Sequence, residues 1–208
     1  MFVKICGITR PEDSEFVAEA GADCCGFVFH PRSPRYIPPD RARSLPTGRI
    51  LRAGVFVNQG YAEIARAADV ARLDVIQLHG AQSRECAEKL GPDRVVRVFW
   101  PDNYGAQTEL SRALEEWEDF CGMILLDAGQ SLGGSGNSVD WRKIADIRPR
   151  KPVILAGGLN PENIIKAIEI CSPDGTDLNS GVESSPGVKD HDKISAALKI
   201  IRESENKI

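Results

Sequence analysis

An alternating α/β fold is predicted by three observations. Short apolar runs recur eight times along 208 residues, each is followed by a loop and a segment of helical period, and no charge block, low-complexity stretch or proline-rich linker divides the chain. The unit count favours closure into a (β/α)8 barrel, one TIM-barrel domain over residues 1–208, near the lower size limit of that architecture. An open doubly wound sheet competes on the same alternation. It would want Gly-x-Gly-x-x-Gly straight after its first strand, where Cys6-Gly7-Ile8-Thr9 stands instead. The later Gly133-Gly134-Ser135-Gly136 runs on into Asn137-Ser138-Val139 and fails the same pattern.

In chain order the strands are expected at 2–6, 23–29, 52–57, 74–79, 94–100, 122–127, 152–156 and 176–180, each bounded by Gly, Pro or Asp. The eighth is the weakest, because Thr176-Asp177-Leu178-Asn179-Ser180 is polar. Thr9-Arg10-Pro11-Glu12-Asp13 opens a first helix, and 38–49 holds no more than a stub. Asn160-Pro161-Glu162 is a strong helix start, with Asn as cap and Pro at the first helical position. Ile164, Ile165, Ile168 and Cys171 mark the buried face of that helix; Ile194, Ala197, Leu198 and Ile201 mark the last one.

Composition narrows the function. With 26 Lys+Arg against 30 Asp+Glu the net charge is -4, which offers no basic field for nucleic acid. No apolar run reaches the ~18 residues of a membrane span, and the first residues lack the pattern of a secretory signal, so a cytoplasmic location is expected. Six cysteines without a Cys-x-x-Cys, and three scattered histidines, argue for reduced thiols and against a zinc site.

In either architecture the site forms where strands end. Those ends carry Cys6, the loop 30–36, Asn58, His79, Trp100, Asp127, Gly157-Gly158 and Ser180-Gly181. Cys6 is a proton-transfer base only as thiolate, and Lys4, on the same strand face one layer below, is placed to hold that charge. From spacing alone Cys6 reads equally as a small buried cap, and Asp127 as a loop anchor. The apolar strand Met123-Ile124-Leu125-Leu126 nevertheless delivers Asp127 to the mouth as a lone carboxylate. The glycine pairs after strands seven and eight read as a phosphate cradle, or singly as tight turns. Arg32 and Arg35, in a loop stiffened by Pro31 and Pro34, suit a substrate carboxylate or plain solvation. His79 points inward with Gln77 and Val75, where a structural hydrogen bond is the plainer role; His30 and His191 read as surface residues. Trp100 is placed to wall the site, and 133–136 reads as a mobile lid or as a plain flexible turn.

Taken together, Lys4-Ile5-Cys6-Gly7-Ile8-Thr9, Ser33-Pro34-Arg35, Gly54-Val55-Phe56-Val57-Asn58, Gln77-Leu78-His79-Gly80, Leu126-Asp127, Gly133-Gly134-Ser135-Gly136 with Asp140-Trp141, Ala156-Gly157-Gly158-Leu159, and Ser180-Gly181-Val182-Glu183 with Pro186-Gly187-Val188-Lys189-Asp190 resemble the phosphoribosylanthranilate isomerase family, in order over nearly the whole chain. The resemblance implies a cofactor-free Amadori rearrangement in tryptophan biosynthesis. N-(5-phosphoribosyl)anthranilate would become 1-(2-carboxyphenylamino)-1-deoxyribulose 5-phosphate. It implies Asp127 as general acid, Cys6 as general base, Arg35 on the anthranilate carboxylate, Gly157, Gly158, Ser180 and Gly181 around the phosphate, and Asp177 lining the site. It implies a small phosphosugar as the partner, with neither nucleic acid nor membrane, and leaves monomer and homodimer open. Departures are Asn179 where a serine is usual, Asn137-Ser138-Val139 in the lid, and an extra serine in Glu183-Ser184-Ser185-Pro186. Rival readings are a related phosphosugar isomerase, a non-catalytic phosphosugar binder, and a redox sensor at Cys6.

Overall fold

The computed structural model of the chain describes residues 1–128 and 141–205. The expected lid at 133–136 and its neighbours 137–140 lie outside the described residues. All eight expected strands form, trimmed or shifted by a residue or two: β1 (Phe2–Ile5), β2 (Cys24–Val28), β3 (Leu51–Phe56), β4 (Val75–Leu78), β5 (Val95–Phe99), β6 (Met123–Asp127), β7 (Val153–Ala156) and β8 (Gly175–Leu178). Each pairs in parallel with the next, and β8 pairs with β1 through Phe2↔Gly175 to Ile5↔Leu178, which closes the barrel. The open-sheet alternative is thereby excluded.

Among the described residues seven helices cover the outside: α1 (Pro11–Glu19), α2 (Pro39–Ser44), α3 (Tyr61–Ala71), α4 (Arg84–Leu90), α5 (Gln107–Glu115), α6 (Ile164–Cys171) and α7 (His191–Glu205). Between β6 and β7 the described residues hold a 3-10 turn, Trp141–Lys143. Pro11 opens α1, yet its cap, Arg10, gives no side-chain bond to the backbone; Arg10 instead forks onto Asp13. The stub predicted at 38–49 is the six-residue α2.

The start of α6 differs from expectation. Regular helix begins at Ile164, three residues later than predicted, because Asn160 and Asn163 first close a turn on each other. Asn160 Oδ1 accepts from the N–H groups of Glu162 and Asn163 at 2.9 and 3.0 Å, while Asn163 Oδ1 accepts from the Asn160 N–H at 2.9 Å. The capping chemistry is therefore the predicted one, made reciprocal.

Alternation divides the packing into two layers. One residue of each strand pair faces the helices, giving a continuous core that includes Phe27, Phe56, Ile76, Ile124 and Leu155. The others fill the barrel: Cys24, Ala53, Val75, Val96, Val98, Leu125, Ile154 and Ala156, with Trp100 packed against them. The polarity of β8 has a reason in this arrangement. Asp177 points inward and meets Lys4 of β1, its register partner.

Candidate active site

The polar centre of the barrel starts from one lysine. Lys4 is 2% exposed, and its Nζ donates to Asp177 Oδ2 at 2.7 Å and to Gln77 Oε1 at 2.8 Å. Burial opposes the lysine charge, but Asp177 and Cys6 outweigh it and hold the Lys4 pKa above its ordinary value. Burial holds the Asp177 carboxyl above its ordinary pKa, against the downward pull of Lys4.

Cys6 follows β1 directly. Its N–H donates to the Leu178 carbonyl at 2.8 Å, and its side chain packs with Val28 and Val55. Burial pushes the thiol pKa up; the Lys4 ammonium one layer below opposes that rise. Asp127 ends β6, as its strand predicted. His79 Nε2 lies 4.0 Å from Asp127 Oδ2, His79 Nδ1 lies 3.2 Å from Gln77 Nε2, and the imidazole stands edge-on to Trp100 with ring centroids 5.1 Å apart. Burial, Lys4 and Arg97 together lower the His79 pKa to about 4, so the ring is neutral at pH 7.

The two glycine loops come into contact. Gly157 and Gly158 follow β7 with φ of +105° and +66°, a backbone that glycine adopts without strain. Ser180 and Gly181 open a 3-10 turn, Ser180–Val182, after β8. Any side chain at Gly181 would overlap the Leu159 carbonyl, so the second loop lies directly on the first.

Arg35 is paired within the protein. Its Nε and Nη2 donate to Glu183 Oε1 and Oε2 at 2.9 and 2.6 Å, so this edge of the guanidinium is taken. The side chain lies against Gly7, where a Cβ would meet Arg35 Cδ at 2.7 Å, which sets it next to Cys6. Glu183 also accepts from Lys189 Nζ at 2.9 Å. Burial opposes the Glu183 charge, but Arg35 and Lys189 hold its pKa below the ordinary value. Asn179 fits the same network, since its carbonyl and side-chain oxygens accept from Lys189 Nζ at 3.2 and 3.0 Å. Arg32 and Asn58 are exposed. His191 is not the plain surface residue expected: it lies within hydrogen-bond range of buried Asp13, at 3.0 Å, and stacks on Phe16. Among the described residues no cluster of His, Cys, Asp and Glu could hold a metal ion, and no helix is long and apolar enough to cross a membrane.

Comparison with known proteins agrees with this geometry. The family model for N-(5'-phosphoribosyl)anthranilate (PRA) isomerase matches residues 3–200. The chain belongs to this family. It is an isomerase of tryptophan biosynthesis. Its relative from Desulfovibrio desulfuricans, an N-(5'-phosphoribosyl)anthranilate isomerase, is 48% identical over 200 residues, 96% of this chain and 95% of that one. The phosphoribosylanthranilate isomerase crystal structure from Thermotoga maritima superposes with a TM-score of 0.86 at 41% identity, covering 98% of this chain and 99% of that one. A further isomerase structure, in complex with reduced 1-(o-carboxyphenylamino)-1-deoxyribulose 5-phosphate, matches with a TM-score of 0.82 at 39% identity over 98% and 99% of the two chains.

Three residues of this polar network were given no role from the sequence. Gln77 was legible as inward-facing by alternation, but nothing marked it as the bridge between Lys4 and His79. Glu183 and Lys189 stand within the resembling stretch but drew no role there, and both side chains are almost fully buried. Pairing partners 148 residues apart, as Arg35 and Glu183 are, leave no local signal.

Proposed function

We propose that Cys6 and Asp127 carry the two proton transfers of the Amadori rearrangement, on a phosphosugar whose phosphate rests against Gly157, Gly158, Ser180 and Gly181. The observation that carries this reading is the order around the ring: the touching glycine loops follow β7 and β8, and these strands are flanked by β6 with Asp127 and β1 with Cys6. A sugar anchored at the loops has its reacting carbons between acid and base.

The Asp127 carboxyl gives its proton to the furanose ring oxygen. The C1–O bond breaks as the anilino nitrogen lone pair forms C1=N, giving a Schiff base. The Cys6 thiolate then takes the C2 proton, and the released electron pair neutralises the iminium to an enolamine, which tautomerises to the ketone. Atoms are conserved and no external oxidant or reductant enters. Lys4 supplies the positive charge that favours the thiolate, with Asp177 keeping that ammonium in place. The Nη1 side of Arg35, outside its fork with Glu183, is the part that meets the anthranilate carboxylate. The enzyme works in the cytoplasm as one barrel domain.

The test is the loss of anthranilate-type fluorescence as N-(5-phosphoribosyl)anthranilate is converted. Cys6→Ala and Asp127→Asn are expected to lower kcat by about 10²–10⁴-fold each, the scale of a lost general acid or base, while retaining substrate binding. Turnover that survives Cys6→Ala would move the base elsewhere. A wild type that binds phosphosugar without turnover would favour the binder reading.

A further inference from the structure

Lys4 Nζ carries only N–H donors, so the Gln77 atom 2.8 Å from it is the amide oxygen. The other corner of that amide is then its NH2 group, which lies 3.2 Å from His79 Nδ1. An NH2 group donates and does not accept, so Nδ1 holds a lone pair and the single imidazole proton sits on Nε2. That nitrogen is the one 4.0 Å from Asp127 Oδ2. Each link is fixed by the one before, and the first is anchored by Asp177 at 2.7 Å from Lys4.

We propose that Gln77 is a positioning residue: gripped by Lys4, its amide fixes His79 as the Nε2–H tautomer, so that an N–H rather than a lone pair faces Asp127. Its effect on turnover rests on the reading of Asp127 as the acid; the tautomer does not. As Asp127 yields its proton, negative charge grows on its carboxylate, and a neutral N–H aimed there stabilises that charge without competing for the proton. A distance of 4.0 Å is beyond direct bonding, and such contacts tighten when substrate fills the site. Trp100, edge-on to the imidazole, limits how far the ring can turn away. The chain also ties the two ends of the reaction together, since Lys4 touches the environment of the Cys6 base and Gln77 passes its orientation on to the acid side.

The deciding experiment is a long-range ¹H–¹⁵N correlation spectrum of the full chain carrying ¹⁵N-histidine at pH 7, with His79 assigned from the spectrum of His79→Asn. The expected wild-type signal is a protonated Nε2 and a bare Nδ1; a protonated Nδ1 overturns the proposal without need of any further variant. Gln77→Glu puts a carboxylate in the amide's place, accepting from both Lys4 and the ring, and should move the proton to Nδ1. Gln77→Met keeps the length but removes the amide, and should leave a mixture of tautomers. Both variants are expected to lose roughly 10²-fold in kcat, the scale of a lost donor to a developing anion, with KM within about threefold. A Gln77→Glu spectrum still showing only Nε2–H, or a Gln77→Met enzyme with wild-type kcat, refutes the proposal. Full turnover by Asp127→Asn, with the tautomer responding as described, would remove the acid assignment and leave the role of Gln77 in setting the tautomer supported.

Discussion

A thiol enclosed by apolar neighbours and an ammonium is pulled two ways, and for Cys6 burial is the larger influence. The consequence is a pH dependence with a definite sign. If the base is a thiolate whose pKa lies above its ordinary value, kcat/KM rises with pH, about tenfold per unit from pH 6 to 8, and levels off only on the alkaline side. Lys4→Met removes the opposing cation and should move this rising limb to still higher pH, as a pH–rate profile over that range would show. A profile flat from pH 6 to 8 would mean that the group taking the C2 proton is not this thiol. At this scale the sequence was partly legible. Residues that end an apolar strand, such as Cys6 and Asp127, announce their position through alternation. Gln77 and Glu183 matter through what they touch, and a partner from a distant strand or loop leaves no mark on its neighbours in the chain.

Among the elements, the strands were legible because each is a short apolar run cut off by a turn residue, and even polar β8 was found by counting units. It faces the helices through fully buried Leu178 and the barrel interior through the Lys4–Asp177 pair. The small antiparallel hairpin Glu183–Ser185 and Val188–Lys189 was not foreseen, since two strands of three and two residues carry no usable periodicity. That hairpin holds Glu183 between Arg35 and Lys189. A carboxylate held below its ordinary pKa contributes stability above the unfolded value of about 4.3, and that contribution fades as pH falls through the folded value. The wild-type urea midpoint should therefore decline below about pH 4.5. Glu183→Gln should start about 3 kcal/mol lower at pH 7, because two cations lose their acceptor, and should decline less steeply in acid. Equal slopes for both proteins would place the acid-sensitive group elsewhere. The glycine loops make a second element-scale prediction. Gly181→Ala must push the β8 loop off Leu159, so KM and the inhibition constant for inorganic phosphate should both rise about tenfold, some 1.4 kcal/mol, with kcat within about threefold. A change in kcat alone would argue that the phosphate rests elsewhere.

The molecule as a whole depends on the seam where β8 meets β1, because every other strand pair joins neighbours in sequence while this one joins the two ends. Its outer cover includes α7, which buries Ile194, Ala197, Leu198 and Ile201. Near the end of that helix, Arg202 donates to the Met1 carbonyl at 2.9 Å, to the Gly21 carbonyl at 3.1 Å and to Asp23 Oδ2 at 3.3 Å. Asp23 Oδ2 in turn accepts from the Val3 N–H at 2.8 Å, so the helix grips the start of β1 and the turn leading into β2. Three large apolar side chains on α7, at about 1.5–3 kcal/mol each, amount to roughly 5–9 kcal/mol, against about 5–15 kcal/mol of total stability for a domain. Arg202 is partly exposed, so its ion pair contributes little, and Arg202→Ala should cost only about 1 kcal/mol. Ile201→Ala, which opens a cavity at a fully buried position, should cost about 2–5 kcal/mol. Deleting residues 191–208 removes the whole apolar face and should leave a chain without a cooperative urea transition, eluting as expanded or aggregated species on size exclusion. A truncated chain that still melts cooperatively would mean that the β8–β1 pairing holds the barrel closed on its own. The loss in Ile201→Ala would then belong to the local packing of α7 alone.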